Sequence, residues 1–271
     1  MMYLTAFNEP QCILVLRPGA DDGQESILFT RPKNPEKELW DGFRYGPQGA
    51  EDTFKLDSAY SIDDFHTKLG ELINGHTSLW ANWGEFPEQD AQLLKAYRTT
   101  RLRTRKSGIY PCVLGDIAEI LHEQRQIKDE LEVESMRKAG RISGIAFENV
   151  MAATQAGMNE ADIAAYMQYQ FSRGGAQRAG YGSIVAGGSN ACVLHYVENN
   201  QPLKDGDLLL VDAGGEVDMY TADITRTWPI NGKFSPAQKD LYEVVLAAQI
   251  AAIQEAKWAT VFIRSTKNPG P

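Results

Sequence analysis

The chain has 271 residues, 43% hydrophobic and 23% charged, with a formal net charge of -9. That length accommodates two ordinary domains or one large one, and the composition is that of a soluble globular protein. The acidic balance excludes a nucleic-acid or anionic-membrane surface, since either requires a basic patch. Short basic runs such as residues 101–106 read as solvated edges.

Cys12, Cys112 and Cys192 are odd in number and far apart. They form neither a Cys-x-x-Cys metal pattern nor an even disulfide set, which points to a reducing, cytoplasmic compartment. Residues 1–10 lack the basic start and apolar centre of a signal peptide. Apolar runs such as residues 12–16 and 208–211 are strand-sized and far short of a membrane span.

Residues 12–16 and 25–30 read as strands flanking a Gly/Asp turn at 19–23. Helical spacing follows at 63–73 and at 91–97, completing an α/β region that carries no catalytic cluster. A domain boundary is expected near residue 125. Beyond it, residues 128–151 predict a helix with Ile142, Ile145, Ala146 and Val150 on one face. Asn159 is placed to cap the next helix, where Ile163, Met167 and Phe171 recur every four residues before Gly174 and Gly175 end it. Strands are expected at 183–186, 192–197, 207–213 and 220–228. Ser235-Pro-Ala-Gln238 then starts a helix, with Ser as N-cap, Pro in the first position and Gln in the third. Its Leu241, Val244, Val245, Ala248 and Ala252 are expected to point inward.

Residues 207–228 are the most informative. Two β-prone runs flank residues 214–219, which read as a hairpin connection. Asp212 and Asp223 are equidistant from a centre between Val217 and Asp218, which predicts that they face each other with Cβ atoms about 5 Å apart. Two ionised carboxylates at that distance repel by roughly 3 kcal/mol at an effective dielectric of about 20. The Leu-Leu-Leu-Val run before Asp212 marks a buried strand, so desolvation adds to the cost. A shared proton, a basic partner or a cation must neutralise the pair. Arg226 lies three residues beyond Asp223 and so points to the other face of a regular strand. One or two oxygen-preferring ions such as Mn²⁺ answer better, with a purely structural role for both aspartates as the alternative. Asp218 reads as a turn residue.

A Gly-rich segment at 187–191 delivers His195 into a predicted strand, and Gly and Asn there let a ligand approach the main chain. Taken alone, His195 reads more readily as a core or surface residue than as a functional one. His66, His76 and His122 lie in polar contexts and read as structural.

Together, Gly187-Gly-Ser-Asn-Ala191, Leu194-His-Tyr196, Val211-Asp-Ala-Gly-Gly215 and Ala222-Asp-Ile-Thr-Arg-Thr227 resemble the pita-bread metallopeptidases, specifically the aminopeptidase P (Xaa-Pro aminopeptidase) branch. Residues 3–10 and 39–46 resemble that branch's N-terminal domain, and the likeness runs to about residue 257. It implies a mixed α/β (α+β) chain: a creatinase/prolidase-like N-terminal domain over 1–125 with its start missing, the first half of a pita-bread domain over 126–257, and an unmatched tail at 258–271. It also implies Asp212 as a ligand of one metal and Asp223 as a bridge between two Mn²⁺ ions, with Zn²⁺ or Co²⁺ as alternatives. His195 would line the substrate site and stabilise the tetrahedral intermediate. Trp40 would reach a neighbouring subunit's active site in a homo-oligomer, or else be a packing aromatic. The implied reaction releases an N-terminal residue that precedes proline.

The family's other ligands are a histidine and two glutamates on later strands. No histidine follows His195, and the acidic residues after Asp223 (Asp240, Glu243 and Glu255) all fall in the helix predicted from Ser235. The resemblance therefore implies a chain cut at both ends and inactive by itself, with a tail such as a shifted reading frame would leave. A non-catalytic binding protein on the same scaffold is the alternative. Prolidase, creatinase and methionine aminopeptidase are further enzymatic readings, the last disfavoured by the N-terminal region.

Overall fold

The computed structural model describes residues 1–21, 23–103 and 109–256. The expected tail at 258–271 and the end of the basic run at 101–106 lie outside the described residues. The chain divides into two compact units between Lys128 and Asp129. Among the described residues, no helix is long and apolar enough to cross a membrane.

The first unit runs α1 (Met2–Thr5), β1 (Ile13–Leu16), β2 (Ser26–Thr30), α2 (Pro35–Asp41), α3 (Gly46–Phe54), β3 (Ser58–Ser61), α4 (Phe65–Leu72), β4 (Ser78–Ala81), α5 (Pro87–Arg103), β5 (Val113–Asp116) and α6 (Ile117–Gln126). In its three-stranded sheet, β2 is central, antiparallel to β1 and parallel to β3. The uninterrupted apolar run in β2 is what a strand covered on both faces requires. Ile27 and Phe29 pack towards Phe65 and Leu69, while Leu28 packs towards Phe7 and Ala50.

The second unit runs α7 (Glu130–Ala153), α8 (Glu160–Gly174), β6 (Arg178–Ala179), β7 (Ile184–Gly187), β8 (Leu208–Ala213), β9 (Gly215–Val217), β10 (Tyr220–Thr221), β11 (Ile224–Pro229) and α9 (Pro236–Glu255). Its three helices each open with a reciprocal capping box, Asp129 with Glu132, Asn159 with Asp162 and Ser235 with Gln238. The strands form two antiparallel sheets, ordered β11-β8-β7 and β10-β9-β6. Along β8, Leu209, Val211 and Ala213 enter the core with Ile142, Met167 and Phe171. Leu210 turns the other way and packs with Ile184, Ala186 and Tyr196. The period of two therefore puts Asp212 on the face away from the main core.

Three expectations are corrected. Ile145 is 52% exposed, whereas Ile142, Ala146 and Val150 lie on the core face of α7 together with Ala139 and Phe147. Residues 192–197 form no strand; a 3-10 turn at Gly188–Cys192 leads into a loop, because Asn190, Tyr196 and Gln201 are drawn to the buried Glu160 carboxylate. On α9, Leu241, Val244 and Val245 are 64%, 67% and 62% exposed rather than inward. The apolar stripe there identifies the face suited to burial, and no described element covers it.

Candidate metal centre

The hairpin that carries the aspartates is built on register. Thr225 pairs with Asp212 and Ile224 with Ala213 between β11 and β8, and Tyr220 pairs with Val217 between β10 and β9. Both pairings share one centre, between Asp218 and Met219, whose φ angles are 50° and 68°. Positive φ at both central residues is the requirement of a two-residue type I′ turn. The centre thus lies one residue later than the sequence predicts, and the register is shifted by two. Asp212 faces Thr225, with Asp223 as its diagonal neighbour instead of its direct partner. A shift of two preserves the face, so the carboxylates still share one side of the sheet.

Two glycines permit the approach. A Cβ at Gly214 would lie 1.6 Å from the Ala222 carbonyl oxygen, and one at Gly180 would lie 2.1 Å from Thr221 Cγ2. The Gly180 N–H donates to the Gly214 carbonyl at 2.9 Å, which ties the segment after β6 to the hairpin. The next residue, Tyr181, places its hydroxyl 2.5 Å from Asp212 Oδ1 and 3.2 Å from Asp223 Oδ1. The Thr225 hydroxyl donates to Asp212 Oδ2 at 2.6 Å. Burial, then the hydrogen bond and charge of Asp212, then Asp223, push the Tyr181 phenol well above its ordinary value. It therefore stays a protonated donor through the neutral range.

One phenol proton serves two carboxylates. Among the described residues the ion pairs engage neither aspartate. Arg226 pairs with Val211 and so takes the opposite face, as expected, donating to the Thr225 carbonyl at 2.8 Å. Hard oxygen donors on one face, short of compensating positive charge, fit a divalent cation. Among the described residues no cluster of three or more His, Cys, Asp or Glu side chains suits a metal. Asp212 and Asp223 are thus candidate ligands, two carboxylates on one face that share the Tyr181 hydroxyl.

His195 is exposed, in the loop that follows the 3-10 turn. Its neighbour Tyr196 packs on Ile184 and Ala186, and Ile184 pairs with Asp212, so this loop crosses the carboxylate-bearing face. Trp40 is in the first unit, on α2, and 89% exposed. Asp218 occupies the turn, as expected, with its N–H donating to Gln177 Oε1 at 2.9 Å. Sequence reasoning missed Tyr181 and Thr225. Thr225 had a signal, being two residues from Asp223 on the same strand face; Tyr181 reaches the site from outside the hairpin.

The family model described as Metallopeptidase family M24 matches residues 134–264, and the one described as Aminopeptidase P, N-terminal domain matches residues 1–80. The structure of Pseudomonas aeruginosa aminopeptidase PepP superposes with a TM-score of 0.88 at 43% identity, covering 93% of this chain and 57% of that one. The chain is thus similar to metallopeptidase family M24 in its second unit and to the aminopeptidase P N-terminal domain in its first. Its architecture is the aminopeptidase P N-terminal domain followed by part of the M24 pita-bread domain. Among M24 relatives, the Xaa-Pro aminopeptidase of Haemophilus influenzae is 40% identical over 252 residues, 93% of this chain and 56% of that protein. Human Xaa-Pro aminopeptidase 3 is 37% identical over 251 residues, 92% of this chain and 49% of that protein. A Zn-substituted Escherichia coli aminopeptidase P in complex with product has a TM-score of 0.88 at 35% identity, covering 94% and 58%. The chain spans about half the length of the curated M24 relatives it matches.

Proposed function

We propose that the chain carries part of the metal centre of an Xaa-Pro aminopeptidase, which hydrolyses the bond between an N-terminal residue and a following proline. The observation that supports this is the convergence of Asp212 and Asp223 on the Tyr181 hydroxyl, within a fold shared with aminopeptidase P. Asp212 would hold one ion and Asp223 would bridge two, with Mn²⁺ as the native metal. Such a pair, when bound, supplies a hydroxide near neutral pH and offsets developing oxyanion charge.

The chain's own residues prepare that site. Tyr181 and Thr225 fix three of the four carboxylate oxygens, which leaves the aspartates oriented before a cation arrives. His195, on the loop crossing this face, would donate a hydrogen bond to the substrate's developing oxyanion. Trp40 would contribute from a neighbouring copy in a cytoplasmic homo-oligomer.

Two of five family ligands make a weak and poorly activating site. Isothermal titration of the 271-residue chain should show Mn²⁺ binding in the millimolar range that is lost in Asp223→Ala. Absence of any binding refutes the metal reading. The same chain should show no cleavage of an Xaa-Pro peptide with added Mn²⁺; turnover abolished by Asp223→Ala would show that the ligand set is sufficient after all.

A further inference from the structure

A second polar cluster lies outside the carboxylate pair. Glu160, the first residue of α8, is 0% exposed. Its Oε1 accepts from the Gly187 N–H at 2.8 Å and from Asn190 Nδ2 at 3.0 Å; its Oε2 accepts from the Tyr196 hydroxyl at 2.8 Å and the Gln201 N–H at 3.0 Å. An enclosed carboxylate is strongly unfavourable unless its oxygens are satisfied, and here both accept two donors. Burial pushes the carboxyl up, but the bonds from Gly187, Asn190, Gln201 and Tyr196 outweigh it, so Glu160 titrates below ordinary glutamate.

All four donors belong to one stretch, residues 187–201. It leaves β7, makes the 3-10 turn, carries His195 and returns to the start of α8. There the Glu160 N–H donates to the Gln201 carbonyl and Asn159 Nδ2 to the Asn200 carbonyl, both at 2.9 Å. The amide of Asn190 also reaches the Tyr196 hydroxyl at 3.1 Å, which links the two ends of the His195 loop. Helix capping does not account for this arrangement, because Asn159 and Asp162 already cap α8.

We propose that Glu160 is the positioning residue that clamps the 187–201 segment onto the carboxylate face and thereby sets where His195 stands. The position matters for catalysis only if the proposed reading of that face holds, whereas the clamp itself does not depend on it.

Amide exchange followed by NMR on the 271-residue chain separates the two. Glu160→Gln keeps the size but presents an NH₂ group to partners that all donate. Exchange across 187–201 should rise by about tenfold or more, with the amides of β8 and β11 unchanged. No rise, or an equal rise in the hairpin, overturns the clamp. With only four histidines in the chain, the His195 imidazole signals can be assigned with a His195→Gln control. Added MnCl₂ should broaden these signals together with the Ile184 and Thr225 amides. In Glu160→Gln the His195 broadening should largely disappear while that of Ile184 and Thr225 persists. Equal His195 broadening in both proteins overturns the positioning role. If MnCl₂ broadens neither amide, the metal reading fails and the exchange result alone decides the clamp. Should Glu160→Gln not fold, Tyr196→Phe and Asn190→Ala, each removing one donor, must show the same local rise in exchange or the proposal falls.

Discussion

Helices α8 and α9 carry the same sequence signals and meet opposite fates. Both open with a capping box and both place apolar residues at helical spacing. On α8, Ile163, Met167 and Phe171 are each 0% exposed; on α9, Leu241, Val244 and Val245 stay above 60%. Caps and periodicity are local properties, so they specify that a helix forms and which side is apolar. Burial needs a partner surface, which for α8 is the sheet face bearing Leu209 and Val211. Helix α8 should therefore contribute to the stability of the described unit through packing, and α9 should not.

The largest effect expected from this contrast is Phe171→Ala. It removes a fully buried ring and should cost about 3–5 kcal/mol in urea denaturation, a large fraction of an ordinary domain's stability. A loss below about 1 kcal/mol would mean that α8 is less firmly packed than its burial implies.

The next effect lies at the hairpin. Gly214→Ala places a methyl group 1.6 Å from the Ala222 carbonyl oxygen. Such overpacking should cost about 1–3 kcal/mol and separate the strands where they hold Asp212 and Asp223. Mn²⁺ affinity in a titration should fall with it. An unchanged affinity would show that the aspartates do not depend on this close approach.

These positions also show what was legible in the sequence. The cap at Asn159, the α8 core stripe and the shared face of Asp212 and Asp223 all rest on short-range periodicity, and each is present. The aspartates kept their common face despite the wrong hairpin centre because parity survives a shift of two. The register was not legible, because Asp218-Met219 lacks the glycine that normally marks a type I′ turn. Residues 192–197 look like a strand by composition, but the side chains that decide their path are satisfied by Glu160, far away in sequence. Tyr181 was invisible for the same reason. Its place depends on the fit of Gly180 against Thr221, a contact across 41 positions.

Tyr181→Phe tests that long-range placement with a smaller change. It deletes the one hydroxyl shared by the two carboxylates and leaves the ring. Stability should fall by about 1 kcal/mol, the net value of a side-chain hydrogen bond partly offset by solvent access. Mn²⁺ affinity should weaken as well, because the carboxylates lose the donor that orients them. Unchanged affinity would reduce Tyr181 to a bystander in metal binding.

The smallest effect should come from α9. Leu241→Glu places a charge on a residue already 64% exposed. If that face is open in the 271-residue chain, the change should shift the urea midpoint by no more than about 0.5 kcal/mol in either direction. It should also reduce self-association in analytical ultracentrifugation, because Leu241, Val245 and their neighbours form a continuous apolar stripe. A loss comparable to that of Phe171→Ala would mean that the stripe is covered in solution by polypeptide. The difference between the helices would then lie in which partner covers each, and no longer in whether one is covered.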